Sequence, residues 1–261
     1  MAFIPIHDTN PLRHIRRPWV AWSLIAANVV IFFVFQSGGF GEASYGSVLS
    51  GGLIPAVFNG YVASPTPVPS VLTLVTYSFL HGSFWHLFGN MIFLWVLADN
   101  VEDAMGHVRF LVFYLLCAIA GGYAFVLTAP ESTGPVVGAS GAIAGTIAAY
   151  LILHPRAKMW VLAFGRIPLR LSAMYVLGFW VVFQVISVVV GGEDEVAWWS
   201  HLGGLVCGAA LVLVLRRPGT PLFDRPAVLP MTYSPPPEAV DDSGAPPLGS
   251  PPTHDRQGPW K

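Results

Sequence analysis

Charge is what this chain has least of. Asp, Glu, Lys and Arg make up only 10% of its 261 residues, against roughly a quarter in an ordinary soluble domain. The net charge is -1 and no basic stretch is long enough to track a phosphate backbone, so a nucleic-acid binder is a poor reading. Cysteine is equally scarce. Cys117 and Cys207 both lie inside apolar runs and read as small buried apolar residues, which leaves no disulfide framework and no Cys-based zinc site. Two further absences narrow the chemistry. There is no His-Glu-x-x-His for a zinc peptidase and no Asp inside an apolar run for an aspartyl pair. What the chain does have is apolar surface, with 54% hydrophobic residues and a mean hydropathy of +0.62. Such a chain cannot cover itself with charge, and its solvent is expected to be a lipid bilayer.

Six apolar runs approach the length of about 20 residues needed to cross hydrocarbon. They cover residues 19–35, 84–98, 108–127, 136–153, 169–190 and 197–215. The first follows Arg13, Arg16 and Arg17 and ends in Gln36-Ser37-Gly38-Gly39 without a clear small-x-small cleavage site, so it is expected to be a retained membrane helix. Basic residues stay on the cytoplasmic side of short loops. With six spans and a cytoplasmic N terminus, all 13 Lys and Arg fall inside, whereas the outer loops hold only acids: Glu42, Glu131, Glu193, Asp194 and Glu195. A wrong span count would scatter the basic residues over both sides.

The expected organisation is a cytoplasmic N-terminal segment at 1–18, a six-helix domain at 19–217 and a tail at 218–261. From Pro218 onward there are 12 prolines in 44 residues with no helical period, which reads as a disordered cytoplasmic tail. The outer segment from Ser37 to Ser83 carries apolar pieces broken by Gly and Pro, and is expected to lie partly in the membrane interface.

Several polar residues interrupt the apolar runs. They are His81, His86 and Asn90 near the second, Gly138-Ala139-Ser140-Gly141 in the fourth, Gln184 in the fifth and His201 in the sixth. Polar side chains in a span are costly, and an ionisable one is a functional hypothesis by default. Runs two, four and six all begin at the outer face, so His86, Ser140 and His201 are placed at one depth. A Ser and a His together suggest a nucleophile and its general base, because an imidazole must take the hydroxyl proton before the oxygen attacks. With every outer acid in a loop, a Ser-His dyad is more economical than a triad. Gly141 and Gly145 on the fourth run, and Gly204 and Gly208 on the sixth, form small-residue faces that let helix backbones approach closely. His86 and Asn90 share a helical face and could donate to an oxyanion together with the Ser140 N–H. Structural readings compete at each position: Ser140 as a helix cap, the glycines as packing, His81 as a loop residue. Gln184 reads as an interhelical hydrogen bond, and His7, His14, His107, His154 and His254 as solvated.

The ordered set His81-x4-His86-x3-Asn90, Gly138-Ala139-Ser140-Gly141 and His201-Leu202-Gly203-Gly204-x3-Gly208 resembles the rhomboid family of intramembrane serine proteases, over roughly Trp19 to Leu215. The resemblance implies an all-α polytopic six-transmembrane-helix bundle with an outward-facing cavity, a membrane-embedded first loop and a lateral entrance by the fifth helix. It implies Ser140 as nucleophile, His201 as base, and His86 and Asn90 with the Ser140 amide as the oxyanion site. Glu102 matches the acid that ties the inner end of the second span to its loop. Two positions depart from the pattern. Ala144 stands where some members have a tyrosine packing on the catalytic histidine, and the Trp-Arg pair of many first loops is missing from Ser37 to Ser83. Inactive relatives lose the Ser or the His, and both are retained here.

The implied activity is cleavage of transmembrane segments of other membrane proteins, without metal, nucleotide or other cofactor. Its expected partners are transmembrane substrates and membrane lipid, not nucleic acid. The expected location is the plasma (inner) membrane of a bacterium, with both termini cytoplasmic. The alternatives are a non-catalytic rhomboid-like chaperone or quality-control factor that binds client helices, and a small transporter with a polar cavity.

Overall fold

Helices follow the apolar runs, and their ends follow the local capping chemistry. A computed structural model describes residues 3–36, 45–190 and 197–224. Strand β1 (Phe3–Asp8) leads into α1 (Trp19–Val30), which continues as a wider π-helical stretch, Ile31–Gln36. Short helices α2 (Tyr45–Gly51), α3 (Pro55–Phe58) and α4 (Thr73–Thr76) fill the described part of the first connection. Then come α5 (Phe84–Met105), α6 (His107–Thr128) and α7 (Ser140–Leu153). Strands β2 (Lys158–Ala163) and β3 (Ile167–Ser172) precede α8 (Ala173–Val190) and α9 (Trp198–Leu215).

Among the described residues, four helices are long and apolar enough to cross a membrane: Trp19–Gln36, α6, α8 and α9. The other two members of the expected set differ for physical reasons. Helix α5 is 22 residues long but runs on past Ala98 into Asp99, Glu102 and Asp103. Helix α7 has only 14 residues, because it starts at Ser140 and not at Val136. Gly138 takes φ +128, a conformation outside the helical range, so the chain cannot enter the helix before it.

The protein is mainly helical, not all-helical as expected. β1, β2 and β3 form an antiparallel sheet in that order, with β2 and β3 joined by a tight hairpin. Phe164 and Gly165 at its tip have φ values of +51 and +68, as a turn matching the strand twist requires. Residues 169–172, expected to open the fifth span, are therefore strand, and that helix begins at Ala173.

The sheet end of the bundle is polar and tightly bonded. The Asp103 carboxylate accepts backbone N–H groups from Arg13, His14 and Ile15 at 3.0, 2.6 and 2.7 Å. Glu102, fully buried, accepts from Val20 and Ala21 at 3.0 and 2.8 Å. It thereby satisfies the first-turn amides of α1, whose preceding Pro18 supplies no side-chain cap. Asp8 accepts from the Tyr150 hydroxyl and from the Asn100 amide. His14, His107 and His154 are not simply solvated: they pair with Asp103, Glu102 and Asp224 respectively. Burial pulls the His154 pKa below its ordinary value, with Asp224 opposing that shift. The expected tail also starts later in space than in sequence, since Phe223 and Asp224 donate backbone N–H bonds to Ile152 and Leu153. The Pro-rich remainder, 225–261, lies outside the described residues, as do Glu42 and the acids at 193–195.

Candidate active site

At the other end of the bundle, helices α5, α7 and α9 all begin close together. Ser83 caps α5, its hydroxyl accepting the His86 N–H at 3.2 Å, which fixes the first turn that carries His86. Ser140 is the first residue of α7. His201 lies in the first turn of α9. Helices α7 and α9 are held at backbone distance by glycine. A Cβ on Gly204 would overlap the Gly141 carbonyl, and one on Gly208 the Gly145 backbone. Neither position tolerates a side chain, so the five glycines read as packing residues, Gly138, Gly141, Gly145, Gly204 and Gly208, all stand at close approaches. Cys117 is buried against Gly145, whereas Cys207 is half-buried, less than its sequence context suggested.

The result of that approach is a bond between the two helices. His201 Nε2 stands 2.8 Å from Ser140 Oγ. The imidazole is buried, while Ser140 is half-buried. On the other side of the ring, His201 Nδ1 stands 2.7 Å from Gln184 Oε1 on α8. Trp180 and Trp198 flank it, with ring centroids at 5.8 and 6.0 Å. Ala144 is fully buried and shares a cluster with Trp180, the indole from α8 that also packs on His201.

His86 reaches the same corner. A Cβ on Gly138 would meet His86 Nε2 at 2.7 Å and Ser140 Oγ at 3.6 Å, so glycine there is what lets the imidazole approach the loop before Ser140. Asn90 is buried one turn further along α5, and its amide nitrogen donates to the His86 carbonyl at 3.1 Å. His81 is also fully buried, but its backbone is engaged elsewhere: its N–H donates to Gln36 Oε1 at 3.0 Å and its carbonyl accepts from Gln36 Nε2 at 3.1 Å. That reciprocal pair joins the end of the first helix to the segment before α5, while the His81 ring packs edge-on against His86 with centroids 5.2 Å apart.

A family model described as the Rhomboid domain matches residues 69–218, more than half of the chain. The chain belongs to the rhomboid family. With its apolar helices, that makes it a multi-pass membrane protein. It is similar to Rhomboid protein 1, mitochondrial, of Saccharomyces cerevisiae, with 31% identity over 54% of this chain and 41% of the relative. RHOMBOID-like protein 12, mitochondrial, of Arabidopsis thaliana is 28% identical over 56% of this chain and 46% of its own length. Rhomboid protease GluP of Bacillus subtilis is 29% identical over 78% of this chain and 36% of its own. The chain thus spans less than half the length of these relatives. Several being named mitochondrial, the comparisons give no support to the bacterial plasma membrane expected from the sequence. Within this rhomboid bundle Glu102 has a different attachment from the expected one, since it binds the first turn of α1 and faces His107 Nδ1 at the start of α6.

Gln184 is the residue whose place the sequence concealed. A single carboxamide in an otherwise apolar helix signals a buried partner, but that partner is 17 residues away on α9.

Proposed function

We propose that the protein is an intramembrane serine endopeptidase that cleaves transmembrane segments of other membrane proteins. The observation that carries this reading is the 2.8 Å approach of His201 Nε2 to Ser140 Oγ at the end of the bundle where α5, α7 and α9 begin. An imidazole at that distance can take the hydroxyl proton as the oxygen attacks a peptide carbonyl. The tetrahedral oxyanion then lies near the N terminus of α7, where first-turn amides lack intrahelical partners. The Ser140 N–H, His86 and Asn90 are the donors we assign to it. His201 returns the proton to the leaving amine, an acyl-enzyme forms on Ser140, and water activated by the same imidazole releases it.

In this reading all six long helical segments, including the short α7 and the partly charged α5, lie across the membrane with the Ser140 end outward. A helical substrate has its carbonyls occupied, so cleavage requires local unwinding, which Gly or Ser near the scissile bond favours. Membrane lipid surrounds the bundle, and the reaction draws on side chains alone.

The test is covalent labelling. A serine-directed fluorophosphonate should modify Ser140 in the intact protein, and Ser140→Ala or His201→Ala should each abolish both labelling and cleavage of a model transmembrane substrate. The double variant should be scarcely worse than either single one, as for residues acting as a unit. Cleavage undiminished in either single variant overturns the assignment and favours a client-binding factor.

A further inference from the structure

Helix α8 is the least buried of the long apolar helices, with Phe179, Val182, Phe183, Val185, Ile186, Val189 and Val190 all exposed. Beyond Leu177 it buries one residue, and that residue is polar: Gln184 is 2% exposed. Burying a carboxamide is unfavourable unless its hydrogen bonds are made. Both ends of this one are bonded, and the two bonds have a direction.

The main-chain carbonyl of Trp180 can only accept. Gln184 Nε2 stands 3.3 Å from it and must be the donor. This fixes the amide orientation, because the flipped rotamer would set two acceptor oxygens against each other. Gln184 Oε1 therefore faces His201 Nδ1 at 2.7 Å, and as an oxygen without a proton it requires the hydrogen to be on Nδ1. A neutral imidazole protonated at Nδ1 carries its lone pair on Nε2. That is the nitrogen standing 2.8 Å from Ser140 Oγ.

We propose that Gln184 is the third member of the site, a positioning residue that fixes His201 in the tautomer able to accept the Ser140 proton. The inference rests on the dyad reading above and deepens it. A directional chain runs from the Ser140 hydroxyl to His201 Nε2, from His201 Nδ1–H to Gln184 Oε1, and from the Gln184 amide to the Trp180 carbonyl. Gln184 does the orienting work of the acid in a Ser-His-Asp triad, which holds the imidazole in the correct tautomer and stabilises the imidazolium when it forms. A neutral amide suits a site walled by Trp180 and Trp198 in an apolar helix, where a carboxylate would be an expensive buried charge. It also accounts for a histidine held in place opposite Ala144.

The experiment uses the full-length protein in detergent micelles. Gln184→Leu keeps the volume and removes the acceptor, leaving the buried Nδ1–H unpaired, so its thermal unfolding is measured beside its activity; Gln184→Glu keeps an oxygen facing Nδ1. With Gln184→Leu, kcat for a model transmembrane substrate should fall roughly 10- to 100-fold, by analogy with the loss when a hydrogen bond that orients a metal-bound histidine is removed, with KM unchanged. Gln184→Glu should restore part of the loss. Nitrogen-15 spectra of the labelled histidine should show His201 protonated at Nδ1 in the wild type and lose that single tautomer in Gln184→Leu. Failure of the wild-type Ser140 to react with fluorophosphonate overturns the proposed function. A reactive wild type matched in rate by Gln184→Leu, or a His201 protonated at Nε2, overturns the role of Gln184 alone.

Discussion

The carbonyl oxygen of Gly141 occupies the space that a β-carbon on Gly204 would need. One residue before Gly141 is Ser140, and three residues before Gly204 is His201, so the separation of the two reacting groups is set by backbone resting on backbone. The bond from Gln184 to His201 Nδ1 then sets how the ring is aimed across that spacing.

Gly204→Ala should therefore cost both stability and chemistry. Forcing a methyl into a filled contact typically costs about 1–3 kcal/mol, and here the obstacle is main chain, which cannot rotate away. Gly178 on α8 is the control, because a β-carbon there meets nothing within 4 Å. Relieving a helical glycine is worth about 0.5–1 kcal/mol, so Gly178→Ala should unfold at the same or a higher temperature. Thermal unfolding in detergent with fluorophosphonate labelling checks both, and a Gly204→Ala protein as stable and reactive as wild type would refute the account of the helix contact.

The donors assigned to the oxyanion should differ in weight. Loss of one such donor typically lowers the rate by about 100- to 1,000-fold, and three donors sharing the charge make each loss smaller. Asn90→Ala should reduce kcat without abolishing it, since its amide is also bonded to the His86 carbonyl. His86→Ala should reduce it more, because this imidazole abuts the loop before Ser140. KM should change little in either case, as the interaction strengthens only when negative charge develops. Wild-type kcat in both variants would return His86 and Asn90 to a purely structural role.

Asp8 makes stability depend on pH. Burial pushes its pKa up to about 6, against the opposing hydrogen bond from Tyr150. A carboxyl whose pKa is raised on folding holds its proton more tightly in the folded state. The associated stabilisation is complete below about pH 4, the ordinary value for the unfolded chain, and is lost as pH rises through about 6. At pH 8 the buried carboxylate opposes folding by up to about 3 kcal/mol at 1.36 kcal/mol per pH unit. Asp8→Asn keeps an oxygen for the Tyr150 hydroxyl and the Asn100 amide. It should raise Tm at pH 8 and leave it unchanged near pH 4; equal Tm values at both would show that Asp8 is not desolvated.

Sidedness is open to direct measurement. In a background without Cys117 and Cys207, a cysteine at Ser132, just before α7, should react with an impermeant reagent added outside intact cells. A cysteine at Arg166, in the hairpin beyond the other end of α7, should not. Reaction of both from one side would break the proposed crossing of α7.

Much of this was legible in the chain. Positions 19–35 and 108–127 were readable as apolar runs, and the structure moves their ends by one residue or less, because continuous hydropathy over such lengths has few alternatives. The order His86, Ser140, His201 placed the site because each stands at the start of a run. The sheet was not legible, since Met159-Trp160-Val161-Leu162-Ala163 is too short a stretch for apolar composition to distinguish strand from helix. Nor were the pairs of His14, His107 and His154, whose partners lie 89, 5 and 70 residues away. Local sequence carries no record of the two distant meetings, and the near one depends on the turn at Gly106 that brings His107 back to Glu102.

Asp103 gathers three amides from residues 13–15, Glu102 two from the start of α1, and residues 223–224 lie on the end of α7. All of these ties lie at the sheet end. The bundle is thus laced at its base like a sheaf bound near the cut, with the strands drawn across the knot. The ties at the base stand a helix length away from the head, where Ser140 and His201 meet.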